Sequence, residues 1–151
     1  MRQFIRSEKI RATPEAVFDF VTDQKWLHAW SPEVLDSEPT DGGPIHVGTV
    51  LRQRHILGKR ERVDQVEVVA HERPFRHAVH TRVMGVDMSV TFTFEPVDEQ
   101  STKVQLACEL TGHGFGRLFE SRVAKQVEEA DDQRLVELRT AMGLAPARAP
   151  A

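Results

Sequence analysis

The chain has very little cysteine and no long apolar run, and each absence excludes a class of protein. Cys108 is the single cysteine, so the chain forms no internal disulfide, and one thiol alone makes no metal site. No stretch approaches the roughly 18 apolar residues that mark a membrane-spanning helix. Residues 1–6 also lack the apolar region of an export signal. We therefore expect a cytoplasmic protein that does not insert into membranes.

The chain has no excess of positive charge and no complete motif for a metal or a cofactor. Twenty Lys and Arg residues oppose 23 Asp and Glu residues, and the two signs are interspersed, which argues against a nucleic-acid partner. His77 and His80 fall on opposite faces of a strand, so they predict no metal site. The glycine-rich residues 112–116 lack the lysine and hydroxyl of a phosphate-binding loop. We expect neither a metal nor a cofactor.

The length and the spacing of apolar residues predict one mixed α and β domain. The 151 residues suit a single domain, which we place at residues 1–144. Residues 145–151 contain no large apolar side chain, and we expect this tail to be disordered. No internal repeat or linker divides the chain.

Two short helices are predicted after a first strand at residues 3–10. Thr13 and Pro14 form a helix start, with the proline at the first helical position. A second short helix carries Trp26 and Trp30, which are spaced to share one face. This Trp pair either lines a cavity or anchors its helix to the core.

Residues 48–111 alternate between apolar and polar side chains and predict an antiparallel meander. A two-residue loop at Met84 and Gly85 places Arg82 opposite Asp87 on the outer face. The same register sets the pairs Thr81/Met88, Val79/Val90 and His77/Phe92 on the inner face. His77 and Thr81 could bind a guest there, although a histidine on an apolar face is more often a core residue with its hydrogen bonds satisfied.

A loop at Gly58 and Lys59 brings a polar group of side chains to the inner face near the turn. It sets the pairs Leu51/Val66, Gln53/Asp64 and His55/Arg62, and the last two pairs suggest a polar anchor for a ligand. A register shift of one residue would turn all four polar side chains to solvent instead. The sequence leaves both alternatives open.

Residues 115–143 predict a long amphipathic helix that covers the sheet. Its apolar stripe includes Phe115, Phe119 and Val123. The acidic residues 128–132 are expected on its solvated side. The Gly58 turn, the Met84 turn and the junction at residues 112–116 lie at one end of the meander, where Leu57, His55, Arg62, Met84, Met88, His113 and Phe115 meet. We expect the mouth of a pocket at that end.

Several weak motifs occur together in an order that is typical of one superfamily. They are residues 12–23, Trp30-Ser31-Pro32, Val47-Gly48-Thr49 and Glu72-Arg73-Pro74, followed by the long C-terminal helix. Over residues 3–143 the chain resembles the polyketide cyclase/dehydrase branch of the START-like, helix-grip superfamily (SRPBCC). The resemblance implies an α+β fold in which a seven-stranded antiparallel sheet wraps around the last helix. It also implies an elongated cavity for lipids, polyketides, hormones or other apolar molecules.

Three functions compete for this fold, because fold alone does not determine activity. The first is a carrier or sensor that binds a small apolar or amphipathic molecule. The second is a cyclase, aromatase or dehydratase acting on a polyketide-like substrate, with His55 as its candidate catalytic acid or base. The third is a protein-interaction domain with a collapsed cavity. The residues expected to contact the ligand are Gln53, His55, Arg62, Asp64, His77, Thr81, Met88, Phe92, Phe115 and Phe119.

Overall fold

The computed structural model describes residues 1–144; the tail predicted to be disordered, residues 145–151, lies outside the described residues. Within that range, seven antiparallel strands form one curved sheet in the order β1-β7-β6-β5-β4-β3-β2. The strands are β1 (Arg2–Ile10), β2 (Val34–Pro39), β3 (Val50–Leu57), β4 (Arg60–Glu72), β5 (Arg76–Val83), β6 (Val86–Asp98) and β7 (Ser101–Gly112). The seven-stranded sheet implied by the resemblance is confirmed.

The registers predicted from the two short turns are confirmed. Gln53 pairs with Asp64 and His55 with Arg62 between β3 and β4. Thr81 pairs with Met88 between β5 and β6. In the second turn Met84 has a φ of 53° and Gly85 a φ of 75°. Positive φ at both central residues gives the tight turn a twist that matches its strands, which fixes the pairing on either side.

The predicted pair of short helices follows β1. Helix α1 (Pro14–Thr22) begins at a Thr13 cap whose side chain accepts the Ala16 N–H, and proline occupies its first position. A single 3-10 turn (Gln24–Trp26) leads into α2 (Leu27–Trp30). These helices pack against the concave face of the sheet and bury Val17, Phe18 and Trp30.

The C-terminal helix is confirmed as the element that the sheet encloses, but it starts later than predicted and is divided. A 3-10 segment (Gly114–Leu118) precedes α3 (Glu120–Asp131), and a turn at residues 132–133 separates α3 from α4 (Arg134–Leu144). A Cβ added at Gly116 would lie 2.1 Å from the Gly85 carbonyl oxygen. This close backbone contact fixes the 3-10 segment against the turn between β5 and β6.

Most of the core lies between β6 and β7 on one side and the helices on the other. Leu106 and Leu110 on β7 are completely buried and belong to the same cluster as Val123 and Leu138 on the C-terminal helices. A second, smaller apolar cluster lies on the strands β3 and β4 and consists of Leu51, Val66 and Val68. Apolar burial is therefore dense under β6 and β7 and sparse under β3, and the cavity described below lies on the sparse side.

Candidate functional site

A cavity of about 170 Å³ lies between the concave face of the sheet and the helices α2, α3 and α4. Its walls are mainly apolar. The lining side chains are Leu27, Trp30, Ser31, Glu33, Val34, Gln53, His55, Ile56, Leu57, Asp64, Val66, Val79, Thr81, Val83, Met88, Val90, Phe92, Val123, Val127, Asp131 and Arg134. An apolar enclosure with a few converging polar groups is typical of a small-molecule site.

His55 and Asp64 form a hydrogen-bonded pair on the wall of this cavity. The distance from His55 Nε2 to Asp64 Oδ2 is 2.6 Å, and both side chains are largely buried. Arg62 contacts the same pair, and its Nε lies 3.4 Å from the same carboxylate oxygen of Asp64. An ionised carboxylate only accepts hydrogen bonds, so this contact holds the proton on Nε2 and leaves Nδ1 as the basic nitrogen.

The structure brings six of the ten predicted ligand-contacting residues to the cavity. Gln53, His55, Asp64, Thr81, Met88 and Phe92 line it. Arg62, His77, Phe115 and Phe119 are not among its lining residues, which corrects their expected placement. Phe119 packs against the main core instead, and Phe115 is 87% exposed because the Gly85–Gly116 contact holds its 3-10 segment outside the barrel.

His77 lies in the core beside α1 and not in the cavity. Its Nδ1 is 3.1 Å from Nδ1 of His71, and the ring of Phe18 packs edge-on against it. Burial, with a smaller contribution from neighbouring His71, lowers the pKa of His77 to about 4. Of the two interpretations of His77, a ligand-binding residue and a core residue with its hydrogen bond satisfied, the structure therefore supports the second.

The end of the sheet that carries the Gly58 and Met84 turns supplies only part of the predicted pocket mouth. Leu57, His55 and Met88 do line the cavity, but Met84, His113 and Phe115 do not. The backbone of residues 112–116 is tied to the β5–β6 turn, where the His113 N–H donates to the Gly85 carbonyl at 3.1 Å. Residues 112–116 therefore do not form part of the pocket mouth, as had been expected of them.

A second polar group, which the sequence analysis missed, joins the break in the C-terminal helix to the segment after α2. Arg134 Nε donates to Asp131, Nη1 to Ser31 Oγ and Nη2 to Glu33. Burial opposes the charge on Arg134, yet Asp131 and Glu33 hold its pKa above the ordinary value. Burial also raises the pKa of the Asp131 carboxyl, against the effect of Arg134. The two ends of this network are about a hundred residues apart in sequence, a separation that no local motif reveals.

Asp131 corrects the expectation that residues 128–132 face solvent. Its side chain is buried, whereas the neighbouring Glu128 and Asp132 side chains are about half exposed and bind Arg6 on the outside. The helix therefore turns one member of its acidic run into the cavity. Helical spacing gave this signal, since Asp131 lies four residues after Val127 and eight after Val123.

Trp30 also lines the cavity, so the first of the two roles suggested for the Trp pair applies to this residue. It is 2% exposed and meets Phe92 edge to face, with 5.7 Å between ring centroids. Its indole Nε1 is buried and has no hydrogen-bond partner in the described part of the chain. Trp26 instead stacks on Phe20 in the core. Because the nitrogen atom itself is buried, the cavity wall receives the apolar part of the Trp30 ring and not its N–H.

The fold and cavity together define the class of protein. A curved seven-stranded sheet wrapped around a C-terminal helix, with two short helices after the first strand, is the helix-grip architecture of START-like domains. The family model described as polyketide cyclase / dehydrase and lipid transport matches residues 1–143, and the chain belongs to that family. No curated protein is similar enough to count as a match.

Several solved structures share the fold at low sequence identity. The protein TTHA0849 from Thermus thermophilus is 20% identical, with a TM-score of 0.76 over 97% of this chain and 100% of its own. The Zhui aromatase/cyclase from Streptomyces sp. R1128 is 14% identical, with a TM-score of 0.72 over 93% and 90%. A START superfamily protein from Mycobacterium smegmatis is 16% identical, with a TM-score of 0.68 over 94% and 97%.

None of the helices in the described range is long and apolar enough to span a membrane.

Proposed function

We propose that this protein binds one small apolar or amphipathic molecule in the cavity between its sheet and its C-terminal helices, as a carrier or sensor. The observation that carries the proposal is the cavity itself, about 170 Å³ in volume and lined mainly by Val, Leu, Met and aromatic side chains. An engineered apolar cavity of about 150 Å³ binds benzene, so this volume suits a molecule of one or two rings. The open volume also favours ligand binding over the hypothesis of a collapsed interaction domain.

Burial of apolar surface supplies most of the binding free energy in this proposal. Thr81, although it lines the wall, already donates its hydroxyl to the Gln65 carbonyl at 2.7 Å. The polar side chains left to orient a ligand are the His55–Asp64 pair and Gln53, which all line the cavity. Met88 adds a flexible side chain that adapts to different ring shapes.

A titration with naphthalene, followed by the fluorescence of the probe, tests the proposal. We expect saturable binding of one naphthalene per chain. Val127→Phe should weaken that binding by about tenfold or more, because Val127 lines the cavity and the larger ring fills it. Val63→Phe is the matched control, since Val63 is half exposed on the outside of β4. Failure of the folded wild-type protein to bind, or equal binding by both variants, would contradict the proposal.

A second candidate function is acid–base catalysis on a polyketide-like substrate by the same cavity. The specific observation in its favour is the 2.6 Å contact between His55 and Asp64, because a carboxylate that fixes an imidazole leaves the other ring nitrogen ready to take a proton. The structural similarity to an aromatase/cyclase concerns the fold only, and the activity in that title belongs to that protein.

Substitution of His55 distinguishes a polar anchor from a catalytic base. If His55 anchors a ligand, His55→Leu should weaken binding of 2-naphthamide by about two- to tenfold, the net value of one hydrogen bond. His55→Gln should keep part of that affinity, and naphthalene, which has no polar group, serves as the control and should bind all three proteins alike. Calorimetric titration gives the affinities.

The catalytic alternative predicts a different pattern for the same variants. Both should retain ligand affinity, and both should lower the turnover of a poly-β-ketone substrate by about a hundredfold or more. Unchanged affinity together with unchanged turnover would remove His55 from either role.

A further inference from the structure

The charges that line the cavity are unevenly distributed. Glu33, Asp64 and Asp131 contribute three carboxyl groups, whereas Arg134 is the one lining residue with a permanent positive charge among the described residues. Arg62 contacts Asp64 but does not line the cavity. The interior therefore favours a neutral or electropositive guest, because like charges inside a low-dielectric enclosure repel strongly.

Arg134 is poorly placed to attract an anion, because its three nitrogens are already engaged. They donate to Asp131, to Ser31 and to Glu33, so the guanidinium is neutralised within the protein. A ligand carboxylate would have to displace one of these partners. It would also lose its hydration on entering the cavity, and no unpaired cation lines the described wall to compensate for that loss.

The polar groups that remain require both a donor and an acceptor from the guest. The Asp64 carboxylate accepts hydrogen bonds, and the Gln53 amide N–H groups donate them. These groups are adjacent, because Gln53 pairs with Asp64 across β3 and β4 and His55 lies two residues after Gln53 on the same face of β3. A single hydroxyl group both donates and accepts, and it carries no charge.

Building on the proposed function, we propose that the cavity selects an uncharged molecule of one or two rings bearing a hydroxyl group and discriminates against carboxylate anions. The apolar walls bind the ring system. The hydroxyl lies on the polar side of the wall, where it donates toward the His55–Asp64 pair and accepts from the Gln53 amide. Aromatic or alicyclic alcohols fit this chemistry, and free fatty acids or aromatic acids do not.

A set of naphthyl probes that differ only in the polar substituent tests the selectivity by calorimetry at pH 7.5. We expect 2-naphthol to bind about two- to tenfold more tightly than naphthalene, as one net hydrogen bond allows. We expect 2-naphthoate to bind at least about tenfold more weakly than its uncharged isostere 2-naphthamide. Equal or tighter binding of 2-naphthoate would overturn the proposal.

A matched pair of variants tests the physical cause. Asp64→Asn removes one negative charge from the cavity wall, whereas Asp36→Asn removes one from the exposed outer surface beside Arg54. The ratio of 2-naphthamide to 2-naphthoate affinity should fall in Asp64→Asn and stay at its wild-type value in Asp36→Asn. An equal ratio in the two variants would contradict electrostatic selection. If Asp64→Asn does not fold, the comparison of 2-naphthoate with 2-naphthamide in the wild-type protein still tests the proposal.

The side-chain amide resonances of Gln53 give a separate readout. They should shift on addition of 2-naphthol and move less on addition of naphthalene, and an equal response to both probes would contradict the hydrogen bond to Gln53. The outcomes separate the two proposals. If none of the uncharged probes binds, the proposed function fails, whereas if they bind and 2-naphthoate binds as well as 2-naphthamide, only the selectivity fails.

Discussion

Replacement of Arg134 by leucine is expected to lower the free energy of unfolding by about 3–5 kcal/mol, measured by urea denaturation at pH 7. Arg134 is nearly buried and holds Asp131, Glu33 and Ser31 together across the helix break. Its removal leaves the buried Asp131 carboxyl without a countercharge. Desolvation of an unpaired carboxylate costs much more than the intact ion pair contributes, which is why the loss is large.

Arg139→Leu is the matched control on the same helix. Arg139 forms a partly exposed ion pair with Glu8 at 3.0 Å, so its loss should cost less than about 1 kcal/mol. Adding Asp131→Leu to Arg134→Leu should recover part of the stability, because it removes the unpaired charge. Equal stability of the Arg134→Leu and Arg139→Leu variants would show that the network does not hold the helices.

Acidification from pH 6.5 to about 4 is expected to cost the protein about 3 kcal/mol of stability through His77. Burial lowers the pKa of His77 from 6.5 to about 4 in the folded state. In this window the unfolded chain binds a proton that the folded chain excludes, so stability rises with pH and is lost as pH falls. The size follows from about 1.36 kcal/mol per pH unit over the interval between the two pKa values.

Urea denaturation of wild type and His77→Gln at several pH values measures this effect. Glutamine keeps a neutral polar group near His71 and does not titrate, so the pH dependence should become shallower. It should not vanish, because burial also lowers the pKa of His71. Identical slopes for the two proteins between pH 6.5 and 4 would contradict the assignment. The difference between the two curves cancels the contributions of other titrating groups.

The sheet could be predicted from the sequence because its determinants are local. Two short turns and an alternating apolar pattern are enough to set Arg82 opposite Asp87, and the structure places these side chains 2.8 Å apart. The same reasoning placed His55 and Asp64 on one inner face. Their hydrogen bond is a diagonal contact on that face, because Asp64 lies two residues after Arg62, the partner of His55 on the adjacent strand.

The helical half of the site could not be predicted because its determinants are long-range. Helical spacing places Asp131 on the face of Val123 and Val127, but it does not reveal that Arg134 binds Asp131. Arg134 is also held by Glu33 and Ser31, about a hundred residues earlier in the chain. The position of Phe115 depends on the close approach of Gly85 and Gly116, which a periodic apolar stripe does not reveal. A helical pattern fixes spacing along one element, but the contact that ends or breaks the element lies elsewhere.

The most direct test of ligand binding in the cavity is an NMR experiment on methyl-labelled protein saturated with naphthalene. The proposal predicts intermolecular nuclear Overhauser effects from the probe to methyl groups of Met88, Val90 and Val127, which line the cavity. Leu118, which is 76% exposed in the same 3-10 segment as Phe115, should show none. Effects confined to Leu118 and other exposed side chains, with none at Met88, Val90 or Val127, would contradict an internal binding site.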